Sequence, residues 1–460
     1  MRYRIAWGSN TLLACLLLAT LSACGGGGGS SSDSASSSGA TTSSATSSAA
    51  SSSTSTNSSS AASSSGSTSS SSSSAASSAT QSTLGGGFAT PTAGGLPIYD
   101  SNGNITGSTL TGARVKFASS LQDMIDIVAA ARVDDAGKKV TSGAYPLLIV
   151  YSGNEDALIA QIIKDQTPDS ITGVCPVPHW DDAYREVSLK DYTAGITIIG
   201  TNGSSANFGI TVVNSGNVII RNMKIGALGG ANNDADMLRI DNSPNVWIDH
   251  NELFAANHEC EGSPDGDLTF ESAIDIKKNS DNITVSYNYI HDSKKVGLDG
   301  HTVSSGVADY QRHITYHHNL YSNVNGRLPL QRGGWIHAYN NLYTGITGSG
   351  INVRSGGNAL IERNWFENSL NPVTCRFDTV NCGYWDLRDN NLTSSADNAT
   401  YNITWDSAGS GGINADSWAT TGTFPLTLPY TYTAETPQCV KDNLAKAAGV
   451  SKGFAALSCS

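Results

Sequence analysis

The chain is poor in charge, and poorest in positive charge. Asp, Glu, Lys and Arg make up only 14% of its 460 residues, with 27 basic side chains against 39 acidic ones and a net charge of -12 at pH 7. A balance of that sign does not favour a nucleic-acid partner. The apolar run Leu12 to Leu18 is too short to span a bilayer, and the cysteines after it match no zinc-ligand spacing. No amphipathic helices separate the apolar runs of the second half, which argues against a sheet built from βαβ units. What the chain has instead is glycine, 48 residues of it, as expected of a β-rich fold with many tight turns.

The N-terminus carries Arg2 and Arg4, then the apolar run, then Leu21-Ser22-Ala23-Cys24. This order predicts an export signal over residues 1–24. Its end resembles the bacterial lipoprotein signal, which implies lipidation of Cys24 and a membrane contact through that anchor alone. Residues 25–84 are almost only Gly, Ser, Ala and Thr. They cannot bury enough apolar surface to offset ordering entropy, so a flexible tether spanning on the order of 45 Å is expected. One domain, 85–460, follows. Six cysteines remain in it: Cys175, Cys260, Cys375, Cys382, Cys439 and Cys459. An even number in an exported chain predicts three disulfides. The local pairs Cys375–Cys382 and Cys439–Cys459 are favoured, leaving Cys175–Cys260, but spacing alone leaves other pairings open.

Ser120 to Arg132 reads as a helix, capped by Ser120 and with one apolar face formed by Leu121, Met124, Ile125 and Val128. Pro146–Val150 and Ile196–Ile199 read as short buried strands. A repeat then begins: NVIIRNMKI (217–225), NVWIDHNEL (245–253), NITVSYNYI (282–290), HITYHHNLY (313–321), WIHAYNNLY (335–343) and NALIERNWF (358–366). Each is a strand-like run, then Asn, then one or two apolar residues. The asparagines Asn222, Asn251, Asn288, Asn319, Asn341 and Asn364 recur at a solenoid spacing. Asn tolerates left-handed backbone, so each is expected to mark a bend, and stacked asparagines could bond one another. The architecture expected is all-β: a parallel β-helix whose N-terminal end is capped by the early helix.

The chemistry lies in acids and cations that this fold would stack together. Asp234 and Asp236 share one face of an extended chain, as do Glu271 and Asp275. Four carboxylates converging without obvious basic partners call for a cation, and hard oxygen donors suit Ca²⁺. Asp265, Asp267 and Asp292 read as surface acids. Downstream, adjacent Lys294 and Lys295 face opposite sides of a strand. Arg327 and Arg332 flank Pro329, which forbids a central strand and places both guanidinium groups at an edge or in an ordered loop. Such groups grip carboxylates bidentately. Calcium, a lysine and two arginines beside an acidic groove suit an acidic sugar polymer. A metal on a uronate carboxylate also acidifies the C5 proton, so a base could drive β-elimination.

At NVWIDHNELFAANHEC (245–260), FESAIDIK (270–277), VSYNYIHDSKKVGLDG (285–300) and NGRLPLQRGGWIHAYNNLY (325–343), the sequence resembles a bacterial pectate lyase of the parallel β-helix polysaccharide lyase family. The resemblance runs from about Gly85 to Cys459. It implies a right-handed, single-stranded parallel β-helix that cleaves α-1,4-linked polygalacturonate with calcium, acting as a monomer. It implies Asp234, Asp236, Glu271 and Asp275 as calcium ligands, Lys295 and Arg332 as substrate-carboxylate ligands, Lys277 as a further substrate contact and Arg327 as the base. Trp247-Ile-Asp-His250 matches a family signature that reads better as structural. A free guanidinium is a poor base, so an alkaline optimum is expected. Two alternatives compete: a lyase for methyl-esterified pectin, which would not need the four acids, and a non-catalytic polysaccharide binder, which would not need Arg327.

Overall fold

The computed structural model describes residues 86–167, 169–172, 185–228, 236–256, 272–300, 312–376, 382–406 and 418–459. The expected signal, the tether and the Cys175–Cys260 pair lie outside the described residues. Short strands dominate, because β-branched and aromatic residues fill four- and five-residue runs between left-handed corners. Among the described residues they form three sheets of eight, ten and seven strands, whose neighbours run parallel, and one two-stranded antiparallel hairpin. Each turn of the chain adds one strand to each sheet. Ile274–Lys277, Ile283–Ser286 and Tyr289–Lys295 make one such coil. The next is Gly297–Asp299, His313–His317 and Leu320–Gly326. This is a parallel β-helix.

Its core is a set of ladders. Ile220, Ile248, Val285, Tyr316, Ala338 and Ile361 stack in register on the inner side of the ten-stranded sheet, and all are buried. At roughly 1.5–3 kcal/mol for each large apolar side chain withdrawn from water, these ladders dominate the stability. The Tyr321, Tyr343 and Phe366 rings stack nearly parallel, 4.9 and 4.6 Å apart.

The asparagine ladder is present, with one change in its register. The left-handed corner is the residue before each ladder Asn: His250, Tyr287, His318, Asn340, Arg363 and Asp389. Asn222 takes that corner position itself, so the ladder runs from Asn251 through Asn288, Asn319, Asn341 and Asn364 to Asn390. Each rung donates its backbone and side-chain N–H groups to the next carboxamide oxygen at 2.8–3.1 Å. Buried amides satisfied in this way hold one coil-to-coil register.

The early helix is Leu121–Ala130, with the Ser120 side chain accepting from Asp123 N. It buries Met124 and Val128 against the first coils, as a cap requires. A second helix, Asp156–Asp165, adds Ile159 and Ile162 to the same core. The C-terminal helix Pro437–Ala447 packs Val440 and Leu444 on Leu320, Leu342 and Trp365. Disulfides close Cys375 to Cys382 and Cys439 to Cys459, as the local spacing favours. Among the described residues no helix is long and apolar enough to cross a membrane.

Candidate functional site

Ile274–Lys277 belongs to the eight-stranded sheet. Ile274 and Ile276 fill the core, so the period-two alternation turns Asp275 and Lys277 to the outer face. Asp236 precedes the neighbouring strand Leu238–Asp241. The Lys277 Nζ sits 2.6 Å from Asp275 Oδ2 and 3.4 Å from Asp236 Oδ2. The two carboxyl side chains are 4% and 0% exposed, so their charges are poorly screened by water. Burial disfavours the Lys277 ammonium, but Asp275 and Asp236 more than offset it and hold its pKa above the ordinary lysine value.

The fold thus brings Asp236 and Asp275 together, as expected, but a basic partner absent from that expectation stands between them. Asp234 and Glu271 lie outside the described residues. The two described acids share Lys277, and Arg239, the register partner of Asp275, lies close enough to act on that lysine's charge. Asp275 Oδ1 is buried and accepts no hydrogen bond among the described residues. An oxygen-only donor set with a spare buried carboxylate oxygen fits a hard divalent cation.

Lys295 closes the coil of Asp275, and Arg327 and Arg332 lie one and two coils further on. Asp275 is in register with Leu298, and Leu298 with Leu330. At about 4.8 Å per strand, Leu330 therefore lies on the order of 10 Å along the axis from Asp275. Arg332 follows Leu330 on the same face. Lys295 closes the strand Tyr289–Lys295 opposite Gly326, and Arg327 comes next to that glycine. Lys295 and Arg327 thus occupy the same corner of consecutive coils. Arg327 has left-handed backbone, φ 65°, and its carbonyl accepts from Gly297 N at 2.8 Å. Arg327–Pro329 is an ordered turn, as the proline requires, but Leu330–Arg332 is an interior strand paired on both sides, so Arg332 sits within the sheet and not at an edge or in a loop as expected.

Two arginines extend this cation row, and neither stands out in the sequence. Arg354 is the register partner of Arg332, and Arg376 follows Thr374, the partner of Asn352. Arg354 Nε donates to Asn352 Oδ1 at 3.1 Å, whereas Arg376 is buried in an ion pair with Asp406. The only sequence signal is alternation, Asn352 then Arg354 outward around the inward Val353. Trp247-Ile-Asp-His250 lies on the ten-stranded sheet instead. There Asp249 bonds Arg221 at 2.6 Å, His250 at 2.7 Å and Ser286 at 2.6 Å, an ion-pair cluster closed on itself.

The family model for pectate lyase matches residues 75–453. Pectate lyase B of Dickeya chrysanthemi is 56% identical over 381 residues, 81% of this chain and 98% of that protein. Pectate lyase 3 of Pectobacterium atrosepticum is 58% identical over 351 residues, 76% of this chain and 90% of that protein. Among solved structures, pectate lyase C from Erwinia chrysanthemi at pH 9.5 with 30 mM Ca²⁺ has a TM-score of 0.73 at 54% identity, covering 82% of this chain and 99% of that one. An arginine-to-lysine variant of pectate lyase C in complex with pentagalacturonic acid has a TM-score of 0.72 at 53% identity, with the same coverage.

Proposed function

Because this chain belongs to the pectate lyase family, we infer that it cleaves α-1,4-linked polygalacturonate by β-elimination, releasing 4,5-unsaturated oligogalacturonides. The observation that carries the site assignment is the meeting of Asp236 and Asp275 around Lys277, on the face that leads to Arg332. We assign Asp236 and Asp275 as calcium ligands, with Asp234 and Glu271 completing the set. Calcium held there would supply the positive charge that acidifies the C5 proton of a bound uronate.

The remaining steps belong to the protein. Lys277, Lys295 and Arg332 bind uronate carboxylates and orient the ring. Arg327, at the corner beside Lys295, takes the C5 proton. The C5–H electron pair becomes the C4–C5 double bond, and the C4–O bond breaks with its electrons passing to the departing oxygen, which is then protonated. No water is consumed.

Incubation with polygalacturonate and calcium, followed by ultraviolet absorbance of the unsaturated uronide, tests the assignment. The expected signal requires calcium and disappears with a chelator. A signal surviving the chelator would favour the esterified-pectin lyase, and no signal with calcium would leave a binder. We propose that the mature enzyme is exported, lipidated at Cys24, held off the membrane by residues 25–84 and monomeric. A mature mass lacking residues 1–23 and carrying a diacylglycerol on Cys24 is the expected result.

A further inference from the structure

A cavity of about 690 Å³ opens on the outer face of the ten-stranded sheet, away from the eight-stranded sheet that carries Asp275. The hairpin of Pro97–Tyr99 and Ile105–Ser108 forms one wall and the C-terminal tail at Phe454 the other. Its volume lies within the range of small-molecule sites. Nothing in the lyase chemistry uses it.

Its lining is specific in two ways. First, it presents aromatic surface to solvent. Tyr99 is 46% exposed and Phe117 64%, and these are among the few large hydrophobic side chains so exposed among the described residues. Phe454 adds a third ring, held in place from behind. Its ring lies 4.1 Å from the Arg221 guanidinium and meets His250 edge-on at 5.2 Å, and Asn222 Oδ1 accepts from Ser451 N at 2.8 Å. The wall is therefore built before any ligand arrives.

Second, among the described residues the lining contains no acid and no ammonium or guanidinium group. Arg221 stands behind Phe454 and is ion-paired to Asp249. Tyr99 remains a neutral phenol, since burial pushes its pKa up more than Arg221 lowers it. Apart from the Tyr99 phenol, the polar side chains of the lining are amide and hydroxyl: Asn104, Ser152, Thr201, Asn202 and Asn222. A uronate carboxylate would find no counter-charge there. A purely apolar ligand would desolvate those amides and hydroxyls without replacing their hydrogen bonds. A ring with a C–H face and a rim of hydroxyls satisfies both halves, since the face packs on the aromatics and the rim bonds the amides.

We propose that this cavity is a second carbohydrate site that takes a neutral sugar unit of a polysaccharide, packed on Phe117 and Tyr99, separate from the groove that holds uronates. It gives the enzyme a grip on uncharged saccharide while the acidic groove works on the charged chain.

The test uses the full chain and saturation-transfer NMR with galactotetraose, arabinotetraose and trigalacturonate as probes. The expected result is transfer to the ring C–H protons of a neutral tetraose, with affinity reduced about tenfold in Phe117→Ala and in Tyr99→Ala, the effect of losing one aromatic contact. Both side chains are largely exposed, so the variants keep the fold, and their turnover of polygalacturonate should match that of the unaltered enzyme. No transfer to either neutral tetraose overturns the proposal. So does transfer that both variants leave unchanged, and so does trigalacturonate binding that depends on Phe117. Because turnover is read separately, failure here does not touch the lyase assignment.

Discussion

Lys277 and Asp275 occupy alternate positions on one strand, and the lysine Nζ lies 2.6 Å from the Asp275 carboxylate in a setting almost closed to water. That ammonium also reaches Asp236. It is the cation in direct contact with both acids. Lys277→Met removes it while keeping the length of the side chain. Without calcium, two buried carboxylates are then left facing each other, and the variant should lose on the order of 3 kcal/mol of stability. Calcium should restore more stability to this variant than to the unaltered protein. Denaturant melts with calcium and with chelator measure both effects, and equal calcium responses in the two proteins would contradict the account.

Arg327→Lys tests the proton-transfer step. The substitution keeps the charge but loses the planar group placed by the turn before Leu328. kcat should fall by about 100-fold or more, the usual worth of a positioned base. KM should change little, because the loss falls on the transition state. An unchanged kcat would remove Arg327 from that role.

The pH dependence of stability should pass through His337. Its Nε2 donates to Glu362 Oε1 at 2.9 Å and its Nδ1 accepts from the Tyr430 hydroxyl at 2.6 Å, the neutral tautomer this network requires. Burial holds the imidazole below its ordinary value, against the pull of Glu362. The unfolded chain therefore takes up the proton first as pH falls. The stability from His337 is complete above about pH 6.5 and is lost as pH drops through the lower folded value. Glu362 is raised by burial but lowered further by its bonds from His337 and Tyr432, so it adds a loss of the same sign at lower pH. Thermal midpoints measured downward from pH 7.5 should decline across this span, and His337→Gln should flatten the upper part of the decline. A flat curve for the unaltered protein would contradict it.

The disulfide between Cys439 and Cys459 closes a 20-residue separation around the C-terminal helix. Replacing both cysteines by serine should cost about 3 kcal/mol, chiefly through the entropy returned to the unfolded chain. Unfolding in guanidinium chloride measures it, and an unchanged midpoint would mean that packing of Val440 and Leu444 alone secures the helix.

Much of this molecule was legible in its sequence because a solenoid repeats its physics. The Asn-punctuated runs were enough to give parallel coils, whereas the alternation of Ile274, Asp275, Ile276 and Lys277, which puts acid and lysine on one face, announces no pairing between them. What could not be read was anything set between distant coils. Lys277 reaches Asp236 across 41 positions, and no local pattern announces that pairing. Arg354 acquires its place beside Arg332 only through register. Asn222 fits the ladder by residue type, yet its repeat is offset by one residue, and Met223 takes the equivalent position. The cavity at Tyr99, Phe117 and Phe454 was invisible for the same reason, since its walls come from opposite ends of the domain.

The most direct test of the calcium assignment is the rate of uronide release from polygalacturonate, titrated with calcium, for the unaltered enzyme and for Asp275→Asn. Removing one of the proposed ligand charges should raise the calcium needed for half-maximal rate by at least about tenfold, as loss of a metal-site contact does, with activity partly recovered at high calcium. A calcium response identical in the two proteins would show that Asp275 does not hold the metal and would contradict the site described here.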